Sequence, residues 1–183
     1  MRKILFIFII SMVQFPIFAQ EKSLPLDIPV DETTGMIVYR EVVVEEGSKK
    51  ELFNRASEWL HQFFTNPVHV TKVRDAASGV IKGKHQFRLI NTNKDESKTE
   101  GAVILYSFKI EAKDARYRYT VDNFLLKRES RYPAEKWLDK SDPSYNPQWN
   151  EYLKQIDRYV KEEFTPNLKE SMKPKPKKVE EEW

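Results

Sequence analysis

Two segments of the chain repeat apolar residues every three or four positions, the spacing of one face of an α-helix. The first follows a capping box, in which the Ser48 hydroxyl and the Glu51 carboxylate satisfy free backbone N–H groups, and is expected to end at Asn66-Pro67. Its apolar stripe consists of Leu52, Ala56, Trp59, Leu60, Phe63 and Phe64. The second is expected to begin at Asn146-Pro147 and to end at Pro166. Its stripe consists of Trp149, Leu153, Ile156, Val160 and Phe164.

Apolar and polar residues alternate between these helices, which is the period of a β-strand with one buried face. A further segment before the first helix is dense in Val, Ile and Tyr and also predicts a strand. In the last hairpin, pairing Ile110 with Tyr119 keeps apolar residues together. The same register sets Glu111 opposite Arg118 on the other face. The expected strands are 36–45, 68–74, 80–90, 101–112 and 116–126.

The order strand, helix, four strands, helix predicts a two-layer α+β domain. Two helices with one apolar stripe each cannot cover both faces of a five-stranded sheet, so we expect both on one face and the other face exposed. Antiparallel sheets tolerate that arrangement. We expect the domain to span 33–166, after a lead-in segment over 21–32. Residues 167–183 are rich in Pro, Lys and Glu, which predicts a disordered charged tail.

The N-terminus has the pattern of a secretory signal peptide over residues 1–20. Met1-Arg2-Lys3 is basic, residues 4–13 are almost wholly apolar, and the small Ala19 precedes a polar stretch. The apolar run is shorter than the ~20 residues that span a bilayer as a helix. We therefore expect cleavage after Ala19 or Gln20, export to the periplasm or beyond in a bacterium, and no transmembrane helix in the mature chain. An uncleaved N-terminal anchor is the alternative.

The composition narrows the chemistry that is open to the chain. Cys is absent, which excludes disulfides, thiolate metal sites and cysteine nucleophiles, and there are three His. Of 31 Lys and Arg residues, two (Arg2 and Lys3) lie in the predicted signal peptide, which leaves 29 against 28 Asp and Glu. Because duplex binding favours a strongly basic domain, no nucleic acid is expected as a partner.

Four stretches of the sequence resemble a secreted bacterial family. They are 33–43, 51–60, 79–84 and 116–119, which read TTGMIVYREVV, ELFNRASEWL, GVIKGK and RYRY. The family is a domain of unknown function with a fold like that of the TATA-box-binding protein (TBP). The resemblance covers residues 24–125 and implies a curved antiparallel sheet in the order 1-5-4-3-2, with helices on one side. It implies no activity, cofactor or binding residue.

Basic residues recur on the sheet face that is expected to be exposed. Such a surface can bind an acidic ligand, or the carboxylates of a partner protein, by charge-assisted hydrogen bonds. Glu111 and Asp122 lie among these residues, so the alternative is a solvated face of mixed charge. The candidate partner-binding residues are Lys82, Lys84, Arg88, Lys109, Arg116 and Arg118.

Two histidines are the candidates for a metal site. If the hairpin over 75–79 is centred on Ala77, His69 and His85 lie opposite one another on neighbouring strands. A pair of this kind can bind a metal or respond to pH. Two neutral ligands alone make a weak zinc site, and no carboxylate is expected nearby. The alternative is a hydrogen bond between one imidazole and Tyr106.

Six aromatic residues define a possible ligand pocket between sheet and helices, and a packed core is the other interpretation. These residues are Trp59, Phe63, Phe108, Tyr117, Tyr119 and Trp149.

Recognisable catalytic motifs are absent from the sequence: it has no P-loop, G-x-S-x-G, H-E-x-x-H or dinucleotide glycine fingerprint. We therefore expect a non-enzymatic exported domain without a cofactor, which binds an unidentified protein or small molecule through its exposed sheet face. The alternative is a small periplasmic carrier that holds an apolar or acidic-apolar ligand between sheet and helices. A cavity in that space would favour the carrier, and a filled core would favour binding through the sheet face.

Overall fold

A computed structural model describes residues 27–93, 95–128 and 131–175 of the chain. The predicted signal peptide and residues 176–183 of the predicted tail lie outside these ranges. Within them, no helix has both the length and the apolar character needed to cross a bilayer.

Strands and helices follow one another nearly in the predicted order. A 3-10 turn, Ala134–Leu138, precedes the third helix, and a π-helical segment, Tyr159–Phe164, joins the third helix to the fourth. The elements of the described residues are β1 (Tyr39–Val44), α1 (Lys49–Phe63), α2 (Pro67–Val70), β2 (Thr71–Asp75), β3 (Val80–Thr92), β4 (Lys98–Lys113), β5 (Arg116–Leu126), β6 (Tyr132–Pro133), α3 (Gln148–Arg158) and α4 (Thr165–Met172).

The sheet is antiparallel and has the strand order β1-β5-β4-β3-β2, as predicted. The two-residue strand β6 pairs with the end of β5, on the same side of β5 as β1. In the β4–β5 hairpin, Ile110 pairs with Tyr119 and Glu111 with Arg118, which confirms the predicted register. The β3–β4 hairpin is longer than predicted, because both strands extend into the polar segment between them.

Helix α1 begins with the predicted capping box. The Ser48 backbone N–H donates to the Glu51 carboxylate at 2.7 Å, and the Glu51 N–H donates to the Ser48 hydroxyl at 3.3 Å. The helix packs its buried stripe against β3, β4 and β5. That stripe includes Leu52, Ala56, Trp59 and Leu60.

The C-terminal helix does not end at Pro166, and that prediction was wrong. Pro166 lies in the first turn of α4, where a residue without an N–H group is tolerated. In the π-helical segment before it, the Thr165 N–H donates to the Val160 carbonyl, so the helix continues past the proline. Leu168 and Met172 of α4 are fully buried. Residues 167–172 therefore belong to the domain, and not to a disordered tail.

The domain also begins earlier than residue 33. Val30 forms a β-bridge with Ile37, and the Val38 N–H donates to the Pro29 carbonyl at 3.0 Å. Ile28 is part of the hydrophobic core. The described part of the lead-in segment, from residue 27 onward, is thus packed on the sheet.

Helices cover one face of the sheet, as predicted. On β4, the residues that face them are at most 2% exposed: Ile104, Tyr106, Phe108, Ile110 and Ala112. The alternate residues are half-buried, because they lie on the opposite side of a central strand. We call that opposite side the open face. Its positions are Arg40, Val42 and Val44 on β1; Arg116, Arg118, Thr120 and Asp122 on β5; Val103, Leu105, Ser107, Lys109, Glu111 and Lys113 on β4; and Lys82, Lys84, Gln86 and Arg88 on β3.

Candidate functional site

All six predicted basic residues lie on the open face. The pairing of strands places Lys82 beside Lys109, and Lys84 beside Ser107. Two further basic residues share this face, Arg40 on β1 and Lys113 on β4, and the sequence reasoning missed them. The signal was available, because both follow from the same two-residue alternation along their strands.

Glu111 neutralises part of this charge. Its carboxylate accepts from the Arg118 guanidinium at 2.7 Å and from the Lys109 ammonium at 3.1 Å. Burial alone raises a carboxyl pKa, but the bonds from Arg118 and Lys109 outweigh it and hold the pKa of Glu111 below its usual value. Arg88 forms a separate ion pair with Glu100 at 3.1 Å. Three of the six predicted residues are therefore paired with carboxylates.

The other three predicted residues, Lys82, Lys84 and Arg116, have no ion-pair partner among the described residues. Asp122 is the remaining carboxylate of the open face, and it is half-buried. Burial raises the pKa of Asp122, whereas the charges of Arg40 and Lys109 act to lower it. The open face therefore carries an excess of positive charge.

A small depression lies on this face where β1, β5 and β4 run side by side. It has a volume of about 190 Å³ and is lined by Val42, Arg116 and Arg118, with Lys113 and Glu111 at its side. Val42 is 57% exposed, and Val44 on the same edge strand is 83% exposed. An apolar surface next to guanidinium groups suits a ligand that offers both a carboxylate and an aliphatic or aromatic group.

His69 and His85 do not form the predicted cross-strand pair. Residues 67–70 are helical because Asn66 caps them: its side-chain oxygen accepts from the His69 N–H at 3.2 Å, and Pro67 occupies the first turn. His69 is therefore on α2 and not on β2, which begins at Thr71. The two side chains nevertheless line one surface groove.

His85 makes no hydrogen bond with Tyr106, contrary to the alternative considered for it. The Tyr106 hydroxyl instead lies 2.7 Å from the Tyr159 hydroxyl. The imidazole ring of His85 and the phenol ring of Tyr106 pack edge to face. Within the described ranges, no group of three or more His, Asp or Glu side chains is arranged to hold a metal ion.

The six aromatic candidates do not line one pocket. Trp59, Phe63 and Phe108 belong to a packed cluster with Phe64 and Phe164. Ring centroids in this cluster are mostly 5 to 6 Å apart, the usual spacing of packed aromatic side chains. Aromatic rings therefore fill this part of the interface between sheet and helices.

The other three aromatic candidates lie apart from that cluster. Trp149 packs against Trp137 and Tyr145 near α3. Tyr117 and Tyr119 are buried near β1, where the Tyr119 hydroxyl donates to Glu41 at 2.7 Å.

Comparison with known proteins identifies the type of fold. Residues 39–127 match the model of the family described as a domain of unknown function (DUF4468) with TBP-like fold, which confirms the resemblance seen in the sequence. A solved TBP-like protein from Parabacteroides distasonis has 18% identity and a TM-score of 0.63, over 79% of this chain and 96% of that one. A DUF4468 family protein from Bacteroides ovatus has 13% identity and a TM-score of 0.64, over 80% of this chain and 91% of that one. No curated protein sequence matches the chain.

Proposed function

We propose that this chain, whose residues 39–127 match the DUF4468 family with TBP-like fold, is an exported binding domain that holds an acidic protein partner on its open face. The fold alone does not determine that role, because one fold serves many functions. The proposal rests on the chemistry of the face.

One observation carries the proposal: two exposed valines lie directly beside arginines, one of which, Arg116, has no ion-pair partner among the described residues. Val42 pairs across the strands with Arg118, and Val44 with Arg116. Both valines are on the edge strand and are more than half exposed. Exposed apolar side chains next to charged residues are typical of a surface that a binding partner covers.

The charge of the face selects the partner. Of the eight basic residues of the open face, Lys109 and Arg118 share Glu111 and Arg88 pairs with Glu100, which leaves five without an ion-pair partner among the described residues. A partner with Asp or Glu side chains supplies the missing counter-charges and is attracted at long range. A basic partner would be repelled by the same groups.

A non-catalytic role agrees with the state of the carboxylates on the open face. The Glu111 carboxylate is already held by the Arg118 guanidinium and the Lys109 ammonium, which lower its pKa against the opposing effect of burial. Asp122 lies beside Ser107 and Thr120, and neither of these neighbours is a histidine that could act as a base. Turnover of any substrate from a hydrolase panel by the purified chain would argue against this part of the proposal.

Export forms part of the proposal because of the N-terminal pattern, Met1-Arg2-Lys3 followed by an apolar run and the small residue Ala19. The predicted cleavage after Ala19 or Gln20 is checked by N-terminal sequencing of the protein from a periplasmic or culture fraction. An intact N-terminus in that fraction would contradict cleavage.

A carrier function has less support. A ligand held between sheet and helices needs the space that the aromatic cluster around Trp59 and Phe108 fills. Native mass spectrometry of the purified protein tests this alternative, since a carrier would retain a small-molecule ligand.

Binding to a defined acidic peptide tests the proposed function. The probe is fluorescently labelled poly-L-glutamate, and its anisotropy is followed as the chain is added at about 0.15 M salt. Replacing Lys82 and Arg116 together by Glu should weaken binding at least about tenfold, because both positions are exposed and the substitutions reverse their charge. Glu111→Gln should strengthen binding, because it releases Lys109 and Arg118 from their shared carboxylate.

A matched control carries the same change of net charge elsewhere. Lys50 on α1 and Lys154 on α3 are exposed and lie on the helical side of the molecule. Replacing both by Glu should alter binding by less than about twofold, because neither side chain lies on the open face and salt screens charges at a distance. Equal weakening by both double variants would show that net charge, and not the open face, governs binding.

A further inference from the structure

A second basic surface lies beside the part of β3 that β2 does not cover. β2 pairs with β3 only over residues 80–83 of the latter, and the chain before β2 turns aside into α2. A groove of about 580 Å³ opens there and extends over β4 to the segment after β5. The Lys127 N–H donates to the Val103 carbonyl, which fixes that segment against β4. We call this the basic groove. Its ionisable lining residues are His69, Lys72, Lys84, His85, Lys127 and Arg131.

No carboxylate of the described residues lines the basic groove. The ammonium groups instead contact neutral acceptors: Lys72 donates to the His69 carbonyl at 2.7 Å, and Lys127 donates to the Gln86 side-chain oxygen at 3.3 Å. This differs from the open face, where Lys109 and Arg118 share a glutamate. Four cations around one concave surface repel one another, and an anion in the groove would remove that repulsion.

His85 also lines the basic groove. Its Nδ1 atom is buried and has no hydrogen-bond partner in the described part of the chain. The ring is held between Phe64 and Tyr106, with centroids 4.9 and 6.0 Å away. A ligand in the groove would therefore lie against this ring, while the Nδ1 atom itself is closed to solvent.

We propose that the basic groove binds a phosphate-bearing small molecule. A phosphate group offers up to two charges and three acceptor oxygens to surrounding ammonium and guanidinium donors, more than a single carboxylate does. The volume is within the range of small-molecule sites and is larger than one phosphate requires, so the ligand carries a further group. This site goes beyond the proposed function of the open face, although Lys84, Gln86 and Leu105 belong to both surfaces.

Calorimetry with sodium pyrophosphate tests this proposal on the full chain at pH 7. Replacing Lys72 and Lys127 by Ala together should weaken binding at least about tenfold, because each charge-assisted hydrogen bond contributes more than a tenfold change in affinity. Both side chains are exposed, so the variant should fold. The control is the Lys50→Ala, Lys154→Ala double variant, which removes the same charge elsewhere and should bind as the unaltered chain does.

A second measurement locates the ligand and separates two sources of phosphate. The His85 ring resonances should shift on addition of pyrophosphate, and they should not shift with sodium acetate. Sedimentation with phosphatidylcholine vesicles containing phosphatidic acid tests a lipid headgroup: sensitivity to Lys72 and Lys127 in this assay assigns the phosphate to a lipid, and no sedimentation assigns it to a soluble molecule. Pyrophosphate binding that is absent, or is unchanged in the double variant, overturns the proposal.

The two proposals fail separately. The Lys82 and Arg116 double variant should retain pyrophosphate binding, since neither residue lines the basic groove. The Lys72 and Lys127 double variant should retain most of its binding to poly-L-glutamate, since neither belongs to the open face. Loss of both activities in either variant would show one diffuse basic surface and would contradict the separation of the two sites.

Discussion

The side-chain amide of Gln155 forms two hydrogen bonds of 2.8 Å with the backbone of Ile90, one with its N–H and one with its carbonyl. Ile90 lies near the end of β3, beyond the four residues that pair with β2. A glutamine on α3 thus takes the place of a neighbouring strand at an otherwise open sheet edge. The free backbone groups of an edge strand can pair with another chain. The contact with Gln155 gives those of Ile90 a partner within the domain.

Gln155→Ala should therefore expose the backbone of Ile90. We expect faster hydrogen exchange of the Ile90 amide and a loss of about 0.5–1.5 kcal/mol of stability for each hydrogen bond removed. Exchange followed by NMR measures the first effect and urea unfolding the second. Lys154→Ala, at the adjacent exposed position, should change neither quantity. An Ile90 amide that exchanges equally slowly in Gln155→Ala would show that the contact does not protect the edge.

The burial of α4 predicts that its apolar residues are essential to the fold. Leu168→Ala should lower the free energy of unfolding by about 2–5 kcal/mol, because the side chain is fully buried against the helical layer. Glu170→Ala, at an exposed position of the same helix, should change it by no more than about 0.5 kcal/mol. Urea denaturation of both variants is the measurement. A disordered tail from residue 167 would make the two substitutions equally harmless.

Gly83 faces the ring of Phe108 across the β3–β4 pair. A Cβ atom at Gly83 would overlap that ring, and Phe108 is itself surrounded by Trp59 and Phe64. Gly83→Ala should therefore destabilise the domain by about 1–3 kcal/mol through overpacking. Lys82→Ala, one residue away on the open face, is the control for thermal or urea unfolding. If Gly83→Ala were as stable as that control, the aromatic cluster would be looser than the structure shows.

Glu41 links β1 to the C-terminal helix. Lys169 donates to its carboxylate at 2.7 Å, and so does the Tyr119 hydroxyl, also at 2.7 Å. The hydrogen bond from Lys169 lowers the pKa of Glu41 by more than burial raises it, and the bond from Tyr119 lowers it further. A carboxyl whose pKa is lower in the folded state stabilises the fold above its unfolded pKa of about 4.3, and this contribution is lost as the pH falls through the folded pKa.

Glu41→Gln should thus reduce stability near pH 7 and have less effect below about pH 4. The size of the effect should be below about 1 kcal/mol, since the ion pair with Lys169 is largely exposed to solvent. Urea unfolding of the unaltered chain and of Glu41→Gln, compared at several pH values, measures the difference. A difference that grows as the pH falls would have the wrong sign and would contradict this role of Glu41.

Local periodicity was sufficient to predict the strands and the register of the β4–β5 hairpin, whereas the strand order was an implication of the family resemblance. The alternation around Ile110 and Tyr119 determined the register of the β4–β5 hairpin and identified which basic residues share a face. The same rule applied to Arg40 and Lys113 would have completed that set. These features depend on the two-residue period of a strand, which is visible in the sequence itself.

Two predictions at prolines were wrong for the same reason, because a proline can begin a helix as well as end one. Asn66-Pro67 follows the end of α1 at Phe63 and starts α2, so His69 is helical and not part of the predicted strand. Pro166 lies inside the first turn of α4, and the spacing of Phe164, Leu168 and Met172 already continued the apolar stripe.

The basic groove had no comparable signal in the sequence. Lys72, Lys127 and Arg131 are brought together only by the packing of segments that are distant along the chain. Lys72 is separated from Lys127 and Arg131 by more residues than any single helix or strand contains, so no periodicity connects it to them. The filled state of the aromatic cluster likewise depends on tertiary contacts.

The location of acidic-peptide binding tests the central claim most directly. In an NMR titration of the chain with poly-L-glutamate, amide shifts are compared between the open face and the exposed side of the helices. We expect the largest shifts at Val42, Lys82 and Arg116 and only small shifts on α1 and α3. Largest shifts on the helices, or equal shifts over the whole surface, would contradict a binding site on the open face.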